Sequence, residues 1–365
     1  MMHPPLLDDA RLCRQIPFVK LVPHRPPALS AADEAVLTDL YVRGTPANTL
    51  RAYERDLAYL TAWKAETFAA PLAWPEAEAV ALRFVLDHSR SLDDVPANDP
   101  ARIAAEALIG LGLRRSLACP APATLDRRIA SWLAFHRMRN LTSPFEAPIL
   151  RQARAKARRA AARPRAPKSA RPITLPLLEQ LLATCDDRLR GLRDRAILSL
   201  GFASGGRRRS EIAALRREDI DLDEFAEKGI VWLRLLETKT TAKGAAPRLI
   251  LKGRAARALV NWIEVAAISD GPLFRPISKS DRPLPRALAP DAISHLLRYR
   301  LELAGLPKGH ASPHGLRSGF LTQAALDGAP IQAAMRLSLH RSVAQAQLYY
   351  DDVDIAENPA TDLMD

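Results

Sequence analysis

Four short stretches of this sequence combine residue types suited to chemistry on a phosphate. The first is Gly205-Gly206-Arg207-Arg208-Arg209-Ser210-Glu211, at the junction of two helical patterns. A glycine pair permits a sharp turn, and an arginine displayed there presents a planar fork matched to phosphate oxygens. A basic helix start with Glu211 pairing locally accounts for the same string. The second is Thr238-Lys239-Thr240-Thr241-Ala242-Lys243-Gly244 between two β-rich runs. A lysine on such a hairpin tip can enter a groove or simply stay solvated. The third is His314-Gly315-Leu316-Arg317, introduced by Ser312-Pro313. Spacing of i to i+3 puts His314 and Arg317 on one helical face, turned either to a phosphate or to water. The fourth is His340 with Tyr349-Tyr350. Asp351-Asp352 follow at once, so at least one tyrosine ring lies near solvent, as a nucleophile or as packing.

Positioning these groups falls to a chain of 365 residues, which suits two domains better than one. Residues 1–28 are proline-punctuated and read as a loose leader. Residues 29–145 read as an all-helical bundle. Thr45-Pro46 is expected to start a helix with Thr45 as its cap, and Leu50, Tyr53, Leu57 and Leu60 recur on one face. Another helix is expected around Leu125, Ile129, Trp132, Leu133 and His136, with two less distinct ones at 76–88 and 100–116. Residues 146–172 read as a basic linker in which Pro148, Pro164, Pro167 and Pro172 interrupt any helix. A second helix-rich domain, 173–350, is expected to hold a β-hairpin at 230–236 and Arg248–Leu251. Its later helices fall near 254–267, 290–304, 314–327 and 342–350. The fold class is therefore mainly α with a small β-sheet, an α+β chain. Residues 351–365 form an acidic tail.

The formal charge is +12, and its placement says more than its total. Nine Lys or Arg and no acid occupy residues 151–172, whereas residues 351–365 carry six acids and no base. A concentrated basic stripe marks a polyanion partner, because neutralising phosphates releases condensed counterions. Solvated arginines in a linker give the same composition. Arg151, Arg154, Lys156, Arg158, Arg159 and Lys243 are the candidate DNA contacts. No apolar run is long enough to cross a membrane. Cys13, Cys119 and Cys185 are too few and too scattered for a disulfide framework or a zinc site, which points to a reducing cytoplasm.

In order and spacing, the four stretches together resemble the catalytic domain of the tyrosine recombinases, or phage integrases. Arg208-Arg209-Ser210-Glu211 is similar to that family's Arg-x-Ser-Glu box, with Gly206 in its usual glycine place. Lys239 corresponds to the hairpin lysine, and His314 with Arg317 to the His-x-x-Arg box. His340 and Tyr349 stand nine residues apart, the family's spacing. Thr49-Leu50-Arg51-Ala52-Tyr53 followed by Asp56-Leu57 resembles the opening of the family's helical, SAM-like core-binding domain. Ser338-Leu339-His340 stands where the family has Leu-Gly-His, and Ser318 where a second histidine often follows the His-x-x-Arg box.

The resemblance implies a site-specific recombinase that cuts and rejoins double-stranded DNA through a 3′-phosphotyrosyl link to Tyr349. Arg208 and Arg317 would hold the non-bridging oxygens as charge builds on them, with hydrogen bonds from His314 and His340. Lys239 would protonate the leaving 5′-oxygen, and Glu211 would support Arg208. No cofactor or metal is expected, since the set lacks the carboxylate cluster that magnesium needs. It further implies a homo-tetramer on DNA, joined through the C-terminal tail, with other recombinases or DNA-bending proteins as further partners. A mobile element in a bacterial nucleoid is the expected setting. A DNA-binding relative without catalysis and a type IB topoisomerase are the alternative functions.

Overall fold

The computed structural model describes residues 30–162, 169–235 and 247–354. The chain divides into two compact units, Met1–Arg165 and Ala166–Asp365.

The first unit is helical: α1 Ala31–Gly44, α2 Ala47–Phe68, α3 Glu78–Asp87, α4 Pro100–Gly110, α5 Pro122–Met138 and α6 Pro148–Ala160. Ser30 and Asp33 form a reciprocal capping box that starts α1. Thr45 is not the cap of α2: it closes α1 through its backbone N–H to Val42, and α2 begins one residue after Pro46. The apolar stripe of α2 buries Tyr59, Leu60 and Trp63 against Phe84 of α3 and against Ile129, Trp132 and Phe135 of α5. Trp63 meets Phe84 edge-on with ring centroids 4.9 Å apart, a favoured aromatic geometry. Asp56 is buried beneath this stripe, accepting from Ser131 Oγ at 2.6 Å and from Arg127.

The expected linker at 146–172 needs correction. Its first half is α6, which packs on α3 and buries Leu150 and Ala157 in the first unit's core. Pro148 does not break this helix because it stands at the first position, where the missing N–H has no helical partner to lose.

The second unit holds α7 Leu175–Ala183, α8 Leu189–Ala203, α9 Arg209–Ala214, β1 Ile220–Asp221, α10 Phe225–Lys228, β2 Val231–Arg234 and β3 Arg248–Leu251. There follow α11 Gly253–Val265, α12 Pro290–Leu303, α13 His314–Leu326, α14 Ile331–Ser338 and α15 Val343–Asp354. The strands make one antiparallel sheet in the order β1-β2-β3, with Val231 opposite Leu251 and Leu233 opposite Leu249. Alternation sets its inner face: Val231, Leu233, Leu249 and Leu251 are buried. Helix α8 is the central element, its Ala196, Ile197, Leu198 and Leu200 all buried, with α11 packed along it.

A buried ion cluster ties α8 to α12. Asp194, wholly buried, accepts from Arg193 at 2.7 Å and from Arg300 at 2.8 and 3.0 Å, and Arg300 also donates to the Thr184 carbonyl. The fold class agrees with the sequence reading, and the short elements β1, α10 and α14 are additions to it. Among the described residues no helix is long and apolar enough to cross a membrane.

Candidate active site

Glycine chemistry at one turn decides where the arginines go. Gly205 and Gly206 link α8 to α9 with φ of +95° and +71°, a region that side chains rarely adopt. Space is as restrictive as conformation. A Cβ on Gly205 would lie 2.4 Å from the Leu337 carbonyl, and one on Gly206 would lie 2.2 Å from the Arg317 Cα. The turn is therefore pressed directly onto α13 and the end of α14.

The three consecutive arginines beyond this turn have separate fates. Arg207 is 2% exposed and donates from Nη2 to the Leu337 carbonyl at 2.7 Å. Arg209 points to α12, where it meets Asp291 at 2.7 Å and Ser294 Oγ at 2.9 Å. Arg208 lines an open cleft with a third of its side chain exposed, and Glu211 holds it from one turn later at 2.6 Å. The same Glu211 carboxylate accepts from the Arg208 backbone N–H at 3.2 Å, closing the first turn of α9.

On the facing side, α13 presents His314 and Arg317 to the same cleft. Arg317 is buried, donates from Nη1 to the Gly206 carbonyl at 3.3 Å and from Nε to His340 Nε2 at 3.1 Å. Burial first, then the neighbouring Arg207 and Arg208, push its pKa down to about 10. It therefore stays a cation at neutral pH.

The hydrogen bond from Arg317 fixes the imidazole of His340. Its Nε2 must be the bare acceptor, so Nδ1 carries the proton and donates to Ser338 Oγ at 2.7 Å. A neutral ring agrees with its surroundings: burial, then Arg317, Arg208, Arg207 and His314, hold its pKa near 4. Ser338, itself wholly buried, ends α14, and Leu339 then takes a left-handed conformation with φ of 54°. A leucine here does what a glycine does more easily.

The two tyrosines of α15 are not equivalent. Tyr350 is 8% exposed and its hydroxyl donates to the Ala329 carbonyl at 3.0 Å. Tyr349 is half-buried and lies within electrostatic reach of Arg317.

The cleft lined by Arg208, His314 and Arg317 has a volume of about 620 Å³, and none of its described lining residues is acidic. Arg207, Arg298 and Lys308 line it beside Arg208, His314 and Arg317. Sequence reading missed the first three. Arg298 and Lys308 lie between motifs, and Arg207 looked like a neighbour of Arg208 rather than a member of the wall. Among the described residues no cluster of His, Cys, Asp or Glu is arranged to hold a metal ion.

Arg208, Glu211, His314, Arg317, His340 and Tyr349 thus come together in the second unit. Lys239 and Lys243 lie outside the described residues. On α6 of the first unit, Arg151, Lys156, Arg158 and Arg159 are exposed. Arg154 is partly buried and shares Asp126 with Arg158, at 3.4 and 3.1 Å.

Residues 173–354 match the family model described as the phage integrase family. An integrase/recombinase XerD homolog from Selenomonas ruminantium is 30% identical over 197 residues, covering 52% of this chain and 56% of the relative. Tyrosine recombinase XerC from Rhodospirillum centenum is 29% identical over 324 residues, covering 85% and 79%. The chain spans about half the length of the XerD relatives it matches, 56% of the Selenomonas protein and 48% of that from Vibrio vulnificus. Two solved structures share the fold. XerH site-specific recombinase bound to its difH substrate aligns with a TM-score of 0.53 at 14% identity, covering 90% of this chain and 84% of that one. A lambda integrase dimer bound to a core site aligns at 0.50 and 16% identity, covering 87% and 76%. The motifs, the mainly helical fold and these likenesses agree: this chain belongs to the phage integrase family of tyrosine recombinases.

Proposed function

We propose that this protein is a site-specific DNA recombinase whose Tyr349 cuts DNA and holds it covalently. One observation carries the reading: Arg208, His314 and Arg317, drawn from two separate stretches, line one cleft that has no carboxylate in its described walls, and His340 from a third stretch is hydrogen-bonded to Arg317. Such a site attracts a phosphodiester and stabilises the extra charge that develops as it is attacked. XerH and lambda integrase, in the structures named above, are bound to DNA.

Tyr349 Oη gives up its proton to solvent as it attacks the phosphorus, and the bond to the 5′-oxygen breaks. The product is a 3′-phosphotyrosyl link and a 5′-hydroxyl, with Lys239 supplying the proton that the leaving oxygen needs. Attack by a second strand's 5′-hydroxyl reverses these steps and rejoins the DNA. Arg208 and Arg317 bind the non-bridging oxygens, and Glu211 keeps Arg208 extended into the cleft. A bound phosphate competes with His340 for the Arg317 Nε–H. His340, released, can hydrogen-bond the phosphate once its proton moves from Nδ1 to Nε2, with Ser338 Oγ turning to donate to the bared Nδ1.

The exposed cations of α6 contact the DNA backbone, which positions the protein without reading sequence. Integration or excision of a mobile element is the biological outcome that fits, through a tetramer joined by the C-terminal tail.

The test uses supercoiled DNA carrying the sequence that flanks the gene, in EDTA, quenched with SDS. Wild type and Tyr350→Phe should leave protein attached to DNA, and Tyr349→Phe should leave none. Tight DNA binding without an adduct would favour a relative that kept the fold and lost the chemistry. Relaxation without any site preference would favour a topoisomerase.

A further inference from the structure

We infer that Arg207, buried behind the cleft, is a positioning residue that holds His340 and Arg317 in working geometry. The proposal deepens the recombinase reading and rests on it.

The contacts form a closed circuit. Arg207 Nη2 donates to the Leu337 carbonyl at 2.7 Å. The next residue, Ser338, accepts from His340 Nδ1 at 2.7 Å. His340 Nε2 accepts from Arg317 at 3.1 Å, and Arg317 donates to the Gly206 carbonyl at 3.3 Å. Gly206 is bonded to Arg207, which completes the ring. Every link but two is a hydrogen bond, and those two are peptide bonds. If Arg207 lets go of Leu337, the end of α14 is free to move, and with it Ser338 and the tautomer of His340.

A simpler reading is that Arg207 only staples the fold. Three features argue for more. A buried guanidinium is an expensive staple compared with an apolar side chain of similar volume. Arg207 is 2% exposed, its Nε has no hydrogen-bond partner among the described residues, and its carboxylate neighbour Glu211 stands 3.6 Å away. Glu211 is also the residue that holds Arg208, at 2.6 Å. One carboxylate thus couples the arginine in the cleft to the arginine behind it. Finally, Arg207 adds charge where a phosphate would gather it, since it lines the cleft with Arg208 and Arg317.

The charged groups acting on His340 are Arg317, Arg208, Arg207 and His314, and all of them resist its protonation, as burial does. Removing Arg207 should therefore raise the pKa of His340 from about 4. Arg207→Lys keeps the charge but cannot span Glu211 and the Leu337 carbonyl together, so it separates charge from geometry.

Both variants are made in the full chain and compared by three measurements: melting, the ring NMR titration of His340, and the single-turnover rate of adduct formation on the flanking-sequence DNA. Arg207→Met should slow adduct formation by about 10- to 100-fold, the scale of a small misplacement of catalytic groups, with the His340 titration moved upward. Arg207→Lys should slow the same step while leaving the titration near that of wild type. If Arg207→Met cleaves at the wild-type rate, or loses rate only as far as it loses folded protein with His340 unmoved, the proposal is overturned. If wild type itself forms no adduct, the recombinase reading fails. The titration, read without DNA, still decides whether Arg207 sets His340.

Discussion

Arg317 Nε and His340 Nε2 stand 3.1 Å apart, a hydrogen bond that requires the imidazole to be neutral. The bond joins two motifs that lie 23 residues apart in sequence, and it gives the site a built-in dependence on pH.

Folded His340 has its pKa held near 4, below the ordinary 6.5. In the unfolded chain the ring takes up a proton as pH falls through about 6.5. The unfolded state therefore binds more protons between the two values, and stability falls as pH drops across that window. Replacing the ring with His340→Gln removes this acid penalty while also removing the bond to Arg317. Wild type should melt above His340→Gln at neutral pH, and the gap should narrow steadily from pH 6.5 towards 4. Melting curves across that range provide the check. A gap that stays constant would show that His340 titrates normally.

Gly206 tests the close approach of the two halves of the cleft. Its φ of +71° and the 2.2 Å that would separate an added Cβ from the Arg317 Cα leave no room for a methyl group. Gly206→Ala should cost roughly 1–3 kcal/mol of stability from backbone strain alone, and more if α13 must shift. Its effect on chemistry should be larger, because the same shift parts Arg317 from Arg208. Adduct formation should fall by about 100-fold or more at a temperature where the variant is still folded. Urea unfolding and single-turnover cleavage, measured together, separate the two losses.

Much of this site was legible because its chemistry is written in local strings. Gly206, Arg208, Glu211, His314 and Arg317 sit in motifs whose spacing reports directly on a turn or a helical face. Arg207 was not legible, because burial depends on what packs above it, and the covering residue, Leu337, is 130 positions away. Ser338-Leu339-His340 shows the opposite case. Its departure from Leu-Gly-His removes the glycine, yet Leu339 adopts the left-handed conformation that a glycine would supply. The linker reading failed for a different reason. Proline count argued against a helix, but Pro148 occupies the single helical position that tolerates it.

Asp194 should prove the most sensitive buried charge of the second unit. It is wholly buried between Arg193 and Arg300, so removing it leaves two guanidiniums without their counter-charge. Asp194→Ala should destabilise the protein by about 3–5 kcal/mol, as breaking a buried pair usually does. The double variant Asp194→Leu with Arg300→Met should recover part of that loss, because an apolar pair is not penalised for burial. Chemical denaturation of the single and double variants decides it, and equal instability of both would show that the cluster fixes α12 by more than charge.

The basic face of α6 makes the remaining claim about DNA. Arg151 and Lys156 are exposed, whereas Arg154 and Arg158 are already engaged with Asp126. The first pair should therefore respond most cleanly to substitution. If each contacts one phosphate, Arg151→Ala and Lys156→Ala should each weaken binding to specific and random duplexes alike and reduce the slope of log affinity against log salt by about 1. Arg158→Ala should do less, because it also relieves Asp126 of a partner and frees Arg154 to pair with it alone. Loss confined to one DNA sequence would mean that α6 reads bases, and an unchanged salt slope would mean that it does not touch the backbone.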